Sequence, residues 1–203
     1  ISSFTWSMND MIQKMMYDQY EKVEVYDVKV SFARPMAEKS VVRELSAFPG
    51  VSSVEPVAEI PVTLKNKWRE KDVVILGLPE KGSLYNILDS EYNKVAPPKN
   101  GLLLSERLAE LLDAKPGTTL TVETPIKADG KDGVLQVVGV IPQYSGTNAY
   151  MEIGALQDFL RQKGLITSCM LNINKDNIPS FREKYMHTDS ISSIDERSQR
   201  LNK

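Results

Sequence analysis

The pattern that most constrains this fold is a strand–helix–strand unit that occurs twice, once near each end of the 203-residue chain. In the first unit, Val23, Val25, Val28 and Val30 are β-branched and loosely alternating, which is typical of a strand. The predicted elements span residues 23–32, 36–48 and 51–64 in the first unit and residues 166–173, 178–186 and 190–194 in the second. Two such units are the halves of a split, ferredoxin-like sheet.

The segment between the two units has a different pattern, with short strands and little helix. Strands are predicted at 102–104, 118–124 and 134–142, and the Asp- and Gly-rich stretch 128–133 is a hairpin turn. We therefore predict an α+β fold, in which a ferredoxin-like β-α-β subdomain carries an inserted, mostly β subdomain. The expected division assigns residues 23–80 and 164–194 to the first subdomain and 81–163 to the second.

Both ends of the chain are predicted to be helical. Residues 1–22 carry Met8, Met11 and Met15 at helical spacing and have no N-terminal capping residue, so this helix is expected to continue upstream. Residues 195–203 are charged and are expected to begin another helix. We expect the two ends to lie on the same side of the domain.

Within the first unit, Pro56 and Pro61 interrupt an otherwise regular strand pattern. Because proline cannot donate a hydrogen bond to a neighbouring strand, they predict an edge or bulged strand. The pair Arg34-Pro35 is expected to end the preceding strand.

Composition excludes several classes of protein. The single cysteine, Cys169, excludes an internal disulfide framework and a Cys-rich zinc site. The formal net charge of -2 disfavours nucleic acid as a partner, because binding to its backbone requires a basic surface. No apolar run approaches the roughly 20 residues of a membrane span.

One candidate for nucleophilic catalysis is a thiol with an imidazole base, Cys169 and His187. Cys169 lies in the middle of a predicted strand, however, where a buried small apolar side chain is the favoured interpretation. His187 lies at a predicted helix end, where imidazole suits the helix dipole.

A second candidate is a calcium loop at residues 172–183, in which the oxygen-bearing side chains have suitable spacing. Asn177 stands where such loops have glycine, and the preceding element is a strand. The favoured interpretation is a turn in which Asp176 or Asn177 caps a helix that starts near Pro179.

Two further motifs have simple structural interpretations. Ser105 lacks the flanking glycines of a nucleophile elbow and fits a helix N-cap. Residues 115–119 lack the spacing of a phosphate-binding loop and fit the end of a helix. We therefore expect no catalytic residue, no cofactor and no metal site in this chain.

Three aromatic residues are candidates for contact with a partner. Trp68 lies in a polar turn, where it either contacts a partner or folds back on its own sheet. Tyr144 and Tyr150 flank a polar loop that either forms a contact surface or packs locally.

Seven short motifs follow one another along nearly the whole chain. They are Gly50-Val51 running to Val62, Val74-Ile75-Leu76-Gly77-Leu78, Leu104-Ser105-Glu106-Arg107-Leu108-Ala109, Lys115-Pro116-Gly117, Leu120-Thr121-Val122, Val137-Val138-Gly139-Val140-Ile141, and Tyr150-Met151 running into Ala155-Leu156. In this order they resemble the MacB-like core domain of FtsX/MacB-type ABC transporter permeases. The chain departs from that pattern at Thr118, where the family often has an acidic residue, and this affects only a turn.

The resemblance implies a porter-type α/β subdomain with a β-rich insertion, outside the cytoplasm, between transmembrane helices one and two. It implies that residues 1–22 continue from the first of these helices and that residues 195–203 lead to the second. The implied partners are the transmembrane part of the same permease, a cytoplasmic ATP-binding subunit acting indirectly, a second permease copy, and an extracellular protein or substrate. The implied role is to transmit ATP-driven motion without catalysis. The alternative is a free-standing extracellular binding module or an α/β enzyme with a similar sheet.

Overall fold

The computed structural model describes residues 7–142 and 148–200. The helices within these ranges are α1 (Met8–Asp18), α2 (Glu38–Ser46), α3 (Glu106–Leu112), α4 (Ile153–Leu160), α5 (Ile178–Tyr185) and α6 (Arg197–Arg200). A π-helical segment, Gln19–Val23, continues α1, and a 3-10 turn, Lys175–Asn177, precedes α5. None of the helices in the described part of the chain has the length and apolarity that crossing a membrane requires.

The strands of the described residues form one large mixed sheet and one small hairpin. They are β1 (Val28–Ala37), β2 (Val51–Asn66), β3 (Arg69–Leu78), β4 (Ile87–Leu88), β5 (Lys94–Val95), β6 (Leu102–Ser105), β7 (Thr119–Glu123), β8 (Gly133–Ile141), β9 (Asn148–Glu152), β10 (Leu165–Ile173) and β11 (Ile191–Glu196).

The two ends of the chain build one antiparallel sheet with the order β11-β1-β10-β2. The connecting helices α2 and α5 pack on one face of it, where Leu45 and Phe181 are buried against Val28 and Val30. Burial of such side chains contributes about 1.5–3 kcal/mol each. The strand order and the single layer of helices confirm the predicted ferredoxin-like α+β class.

The inserted strands continue from the second half of β2 and return to it. The pairings run from β2 to β3, β9, β6, β8 and β7, and β7 pairs again with β2 at Thr63 and Glu123. These six strands therefore close into a barrel. Its fully buried side chains include Ile60, Leu64, Leu104 and Leu120.

Strand β2 belongs to both parts of the molecule. Its first half pairs with β10 up to Val57, and its second half pairs with β3 from Ala58 onward. One continuous hydrophobic core runs from Val28 in β1 to Leu120 in β7. The exact division at residues 80/81 and 163/164 stays a prediction.

The two prolines of β2 lie where the strand has a partner on one side only. Pro56 is opposite Cys169 of β10 and precedes the first pairing with β3, whereas Pro61 is opposite Val74 of β3 and precedes the pairing with β7. The expectation of an edge strand was therefore wrong for β2 as a whole. The expectation holds locally, because each proline has a neighbouring strand on one side only. No strand on its other side has to accept a hydrogen bond from the N–H group that proline lacks.

The first strand begins and ends later than its sequence pattern predicts. Val23 ends the π-helical segment, and β1 starts only at Val28. The Arg34-Pro35 pair does not end the strand, because residues 31–36 of β1 lie opposite residues 168–166 of β10. This register shift places the proline in a bulge, where it disrupts no regular pairing.

The segment that follows α1 lies beside the start of α6. The backbone N–H of Arg197 donates to the carbonyl oxygen of Asp27 at 2.8 Å, and the Arg197 guanidinium lies 3.7 Å from the carboxylate of Glu21. The contacts join the end of the π-helical segment to the start of α6. Helix α1 itself exposes the apolar residues at helical spacing, Met8, Met11, Ile12, Met15 and Met16.

Candidate functional site

The structure places Cys169 inside the core. It lies on β10 with Val30 and Pro56 opposite, and its side chain is 0 % exposed. Burial, reinforced by the negative charge of Glu38, raises the pKa of the thiol to about 12. The interpretation of Cys169 as a core residue is confirmed, and His187 lies on the surface after α5.

The proposed calcium segment is a strand followed by a 3-10 turn. Asn174, rather than Asp176 or Asn177, supplies the capping oxygen: its Oδ1 accepts from the N–H of Asp176 at 3.0 Å. Asn177 precedes α5 without a side-chain capping bond. Across residues 7–142 and 148–200, no group of three His, Cys, Asp or Glu side chains is placed to hold a metal ion.

The other two motifs are structural as well. Ser105 Oγ accepts a hydrogen bond from the N–H of Leu108 at 3.3 Å and so caps α3, as predicted. The helix ends at Asp113 in the left-handed conformation, and Gly117 turns the chain into β7 with φ +99°.

The candidate contact residues have different environments. Trp68 is 79 % exposed at the tip of the β2–β3 hairpin, and the Arg69 guanidinium lies 4.4 Å from its ring centroid. Tyr150 is only 3 % exposed, which favours the local-packing alternative for this ring: β9 lies between β3 and β6, and the ring of Tyr85 lies 6.3 Å from that of Tyr150. Tyr144 lies outside the described residues. A contact with a partner at these positions stays a prediction.

A cleft of about 240 Å³ opens on the face of the sheet opposite α2 and α5. Its walls combine charged, aromatic and apolar side chains from five strands of the sheet, the segment before β1, and the loop after β3. They are Glu24, Tyr26, Lys29, Val57, Glu59, Val74, Leu76, Leu78, Tyr85, Asn148 and Met170.

A charged pair forms one side of this cleft. The Lys29 ammonium contacts the Glu59 carboxylate, and both side chains are about a quarter exposed. Ser168 Oγ donates to Glu59 Oε1 at 3.3 Å, and Thr167 Oγ1 accepts from the Glu59 backbone N–H at 2.7 Å. These contacts hold Glu59 in place at the cleft wall.

The opposite side is aromatic. Tyr26 Oη donates to Glu24 Oε1 at 3.5 Å, and the backbones of Glu24 and Tyr85 form an isolated bridge. Burial raises the pKa of Tyr150, against the opposing effect of hydrogen bonds with Tyr85 and Asn148. The cleft therefore has several hydroxyl and amide groups around an apolar floor.

The loop after β3 is fixed over the sheet by a carboxylate. Glu55 accepts from the backbone N–H groups of Ser83 at 3.1 Å and Leu84 at 3.2 Å. Lys94 Nζ adds a hydrogen bond of 2.7 Å to the carbonyl oxygen of Gly82. These bonds keep Tyr85 at the rim, so the cleft is preformed.

The sequence contained a signal for this site that the motif analysis missed. Lys29 alternates with Val28 and Val30, and Glu59 alternates with Ala58 and Ile60. Successive strand residues point to opposite faces, so each charge had to lie on the face away from the core. The two strands carry opposite charges, and this could have indicated a pair.

No protein-family model matches the sequence, and no curated protein is similar to it in sequence. Solved structures are similar in fold. The periplasmic region of MacB from Actinobacillus actinomycetemcomitans matches with a TM-score of 0.53 and 15% identity, over 92% of this chain and 96% of that one. The extracellular domain of the noncanonical ABC-type transporter YknZ from Gram-positive bacteria matches with a TM-score of 0.53 and 14% identity, over 82% of this chain and 99% of that one. The chain therefore has the fold of these extracytoplasmic domains of ABC transporters.

Proposed function

We propose that this chain is the extracytoplasmic domain of an ABC transporter permease and that it transmits ATP-driven motion to a substrate or an extracellular partner. The observation that carries the proposal is the fold match to the periplasmic region of MacB, which spans nearly the whole of both chains. Fold alone does not determine function, so the proposal also needs support from this chain's own geometry.

The position of the chain ends supplies that support. A domain inserted between two neighbouring membrane helices must receive and return the chain on one side. Glu21 and Arg197 meet at 3.7 Å, which is the arrangement that such an insertion requires. In this proposal residues 1–22 continue from transmembrane helix one and residues 195–203 lead to transmembrane helix two.

The exposed side of α1 fits a partner that lies outside this chain. Met8, Met11 and Met15 face solvent and do not pack on the core, although an isolated helix of this length is only marginally stable in water. We assign this face to contacts within the membrane-anchored permease or its dimer.

The Trp68 hairpin is the proposed contact with an extracellular partner. The hairpin tip projects a large aromatic ring with Arg69 stacked on it, and aromatic and Arg side chains dominate binding energy at interfaces. The domain is proposed to act by movement and contact, without catalysis, cofactor or nucleic acid.

Location is tested by labelling intact cells with a membrane-impermeant maleimide. The Trp68→Cys variant of the full-length protein offers an exposed thiol, whereas the native Cys169 is buried and protonated. We expect stronger labelling of the variant than of the wild type in intact cells. Labelling that appears only after lysis overturns the proposed location.

Transmission of motion is tested with spin labels in the full-length permease together with its ATP-binding subunit in lipid nanodiscs. Labels at Lys14→Cys on α1 and at Trp68→Cys report the distance across the domain, and both positions are exposed. We expect the distance distribution to shift during ATP turnover and to stay fixed with a subunit that cannot hydrolyse ATP. An unchanged distribution during turnover contradicts internal transmission.

A further inference from the structure

The tip of the β2–β3 hairpin is held in place by the helix beside it. Asn66 Nδ2 donates to the carbonyl oxygens of Leu112 at 2.9 Å and Asp113 at 3.2 Å, which ties the tip to the C-terminal end of α3. Lys67 and Trp68 form the turn between the strands, and the Trp68 side chain is 79 % exposed. A contact made by such a preorganised tip loses less entropy than one made by a loop that has to be ordered.

Three cations surround the exposed ring. Arg69 and Lys71 are two positions apart on β3, so both point to the same face of the hairpin, and Lys67 lies at the turn. Among the residues that the structure describes, no carboxylate forms an ion pair with any of these three side chains. We call Lys67, Trp68, Arg69 and Lys71 the basic tip.

The acidic side chains of the hairpin lie on its other face and have partners there. Glu70 alternates with the two cations of β3, and the Lys65 ammonium lies 3.6 Å from its carboxylate. Asp72 accepts a hydrogen bond of 2.6 Å from the hydroxyl of the threonine opposite it on β2. The end of α3 adds one charge of each sign, Asp113 and Lys115. The basic tip is therefore a local positive surface on a protein with a net charge of -2.

The basic tip lies far from the place where the ends of the domain meet. Val28, next to the contact between Asp27 and the start of α6, is level with Val54 of β2 through their shared partner Leu171. From Val54 to Asn66, β2 spans about 40 Å at roughly 3.3 Å per residue. In the proposed permease the chain ends lead into the membrane, so the tip is held away from the bilayer.

This position and the exposed ring favour a protein among the possible anionic partners. An anionic lipid surface attracts both Trp and cationic side chains, but the bilayer lies at the other end of the domain. A polyanionic chain would attract the cations without offering an apolar pocket to the ring. Trp and Arg are enriched at the centres of protein interfaces, where they fill such pockets.

We propose that the basic tip docks on an acidic surface of a folded extracytoplasmic protein, with the Trp68 ring in an apolar pocket and its three cations opposite Asp or Glu side chains. The inference rests on the proposed function, because the position of the membrane enters the argument. The cations accelerate the encounter with an acidic partner, and the buried ring slows dissociation.

Zero-length crosslinking in intact cells tests the docking. A water-soluble carbodiimide joins a lysine amine directly to a carboxylate, and mass spectrometry of the purified full-length protein identifies both linked residues. We expect links from Lys67 or Lys71 to Asp or Glu side chains of another polypeptide. Links to cell-wall peptides alone, or no link to another polypeptide, overturn the proposal.

Variants separate the tip from general surface charge. Trp68→Ala and Lys71→Glu should each lower the yield of links from Lys67 at least about tenfold, as expected for residues that dominate an interface. Lys131→Glu, in the exposed turn between β7 and β8, is the matched control and should leave the yield unchanged. Substitutions at such exposed positions have little effect on stability. An unchanged yield in Trp68→Ala contradicts the docking of the ring.

Two further measurements distinguish the alternatives. The chain is sedimented with vesicles of equal parts phosphatidylcholine and phosphatidylglycerol, and vesicle binding that Trp68→Ala abolishes overturns the choice of a protein partner. Maleimide labelling of Trp68→Cys separates failure of this inference from failure of the proposed function. A variant that is labelled in intact cells, in a protein that gives no crosslinks, contradicts only the acidic partner, whereas labelling that requires lysis contradicts the proposed function.

Discussion

Gly101 packs so closely on the backbone carbonyl of Gln136 that a Cβ atom at position 101 would lie 2.3 Å from that oxygen. The contact joins the start of β6 to β8, neighbours in the barrel. A hydrogen atom is the only side chain that this approach allows.

Replacing this glycine should destabilise the barrel. Gly101→Ala forces the Gln136 carbonyl to move, and overpacking of this kind costs about 1–3 kcal/mol. The free energy of unfolding, measured by urea denaturation, should fall by that amount. Gly154→Ala is the control, because its Cβ would meet a side chain rather than backbone, the Glu152 carboxylate at 3.0 Å, in the first turn of a helix where alanine is favoured. A loss for Gly101→Ala no larger than for this control would contradict the close contact.

The Glu21–Arg197 ion pair should contribute little to stability. Both side chains are partly exposed, at 42% and 28%, and such pairs contribute about 0.2–1 kcal/mol. A double-mutant cycle with Glu21→Gln and Arg197→Gln should give a coupling energy in this range. The more exposed pair Arg107–Glu110 is the reference and should give a similar or smaller value. A coupling of several kcal/mol would show that the two ends depend on this pair, rather than on the backbone bond from Arg197 to Asp27.

The local elements of this fold were predictable because local patterns determine them. The apolar spacing of α2 and α5 and the Ser105 cap depend on residues a few positions apart. The repeated strand–helix–strand unit then limits the topology to few solutions, because such units combine in a small number of sheets.

Closure of the barrel and assembly of the cleft were not predictable from local patterns. Thr63 of β2 pairs with Glu123 of β7 only after the four strands between them in the barrel, β3, β9, β6 and β8, have assembled. Lys29 reaches Glu59 across β10, so their contact depends on the register of a strand more than 100 positions further along the chain. The sequence left open whether Tyr150 packs locally, and its burial involves Tyr85, a residue 65 positions earlier in the chain.

Removing the Glu55 carboxylate should loosen the wall of the cleft without unfolding the domain. In Glu55→Gln, the N–H groups of Ser83 and Leu84 lose a charged acceptor, and such bonds contribute about 1.5–3 kcal/mol. Hydrogen exchange at these two amides should accelerate at least about tenfold, since local opening determines exchange. Glu91→Gln, in the exposed turn between β4 and β5, should leave both rates unchanged. Equal rates in wild type and Glu55→Gln would show that other contacts hold the loop.

Stability at alkaline pH should depend on Cys169. Burial raises the pKa of its thiol from an ordinary 9.0 to about 12 in the folded protein. Between these values the unfolded chain loses a proton that the native chain retains, so unfolding becomes more favourable as pH rises. The Cys169 thiol therefore does not change the free energy of unfolding below pH 9. Above pH 9 it lowers that free energy by up to about 1.4 kcal/mol per pH unit.

The Cys169→Ala variant isolates this effect, because all other titrating groups remain. At pH 7 the variant should be less stable than wild type by about 1 kcal/mol, since a buried group is lost. From pH 9 to pH 11 this difference should shrink and then reverse, because only the wild type carries the buried thiol. Urea denaturation of both proteins at pH 7, 9, 10 and 11 measures the difference directly. A difference that stays constant across this range would mean that the thiol ionises as easily in the native state as in the unfolded one, and Cys169 would then have access to solvent.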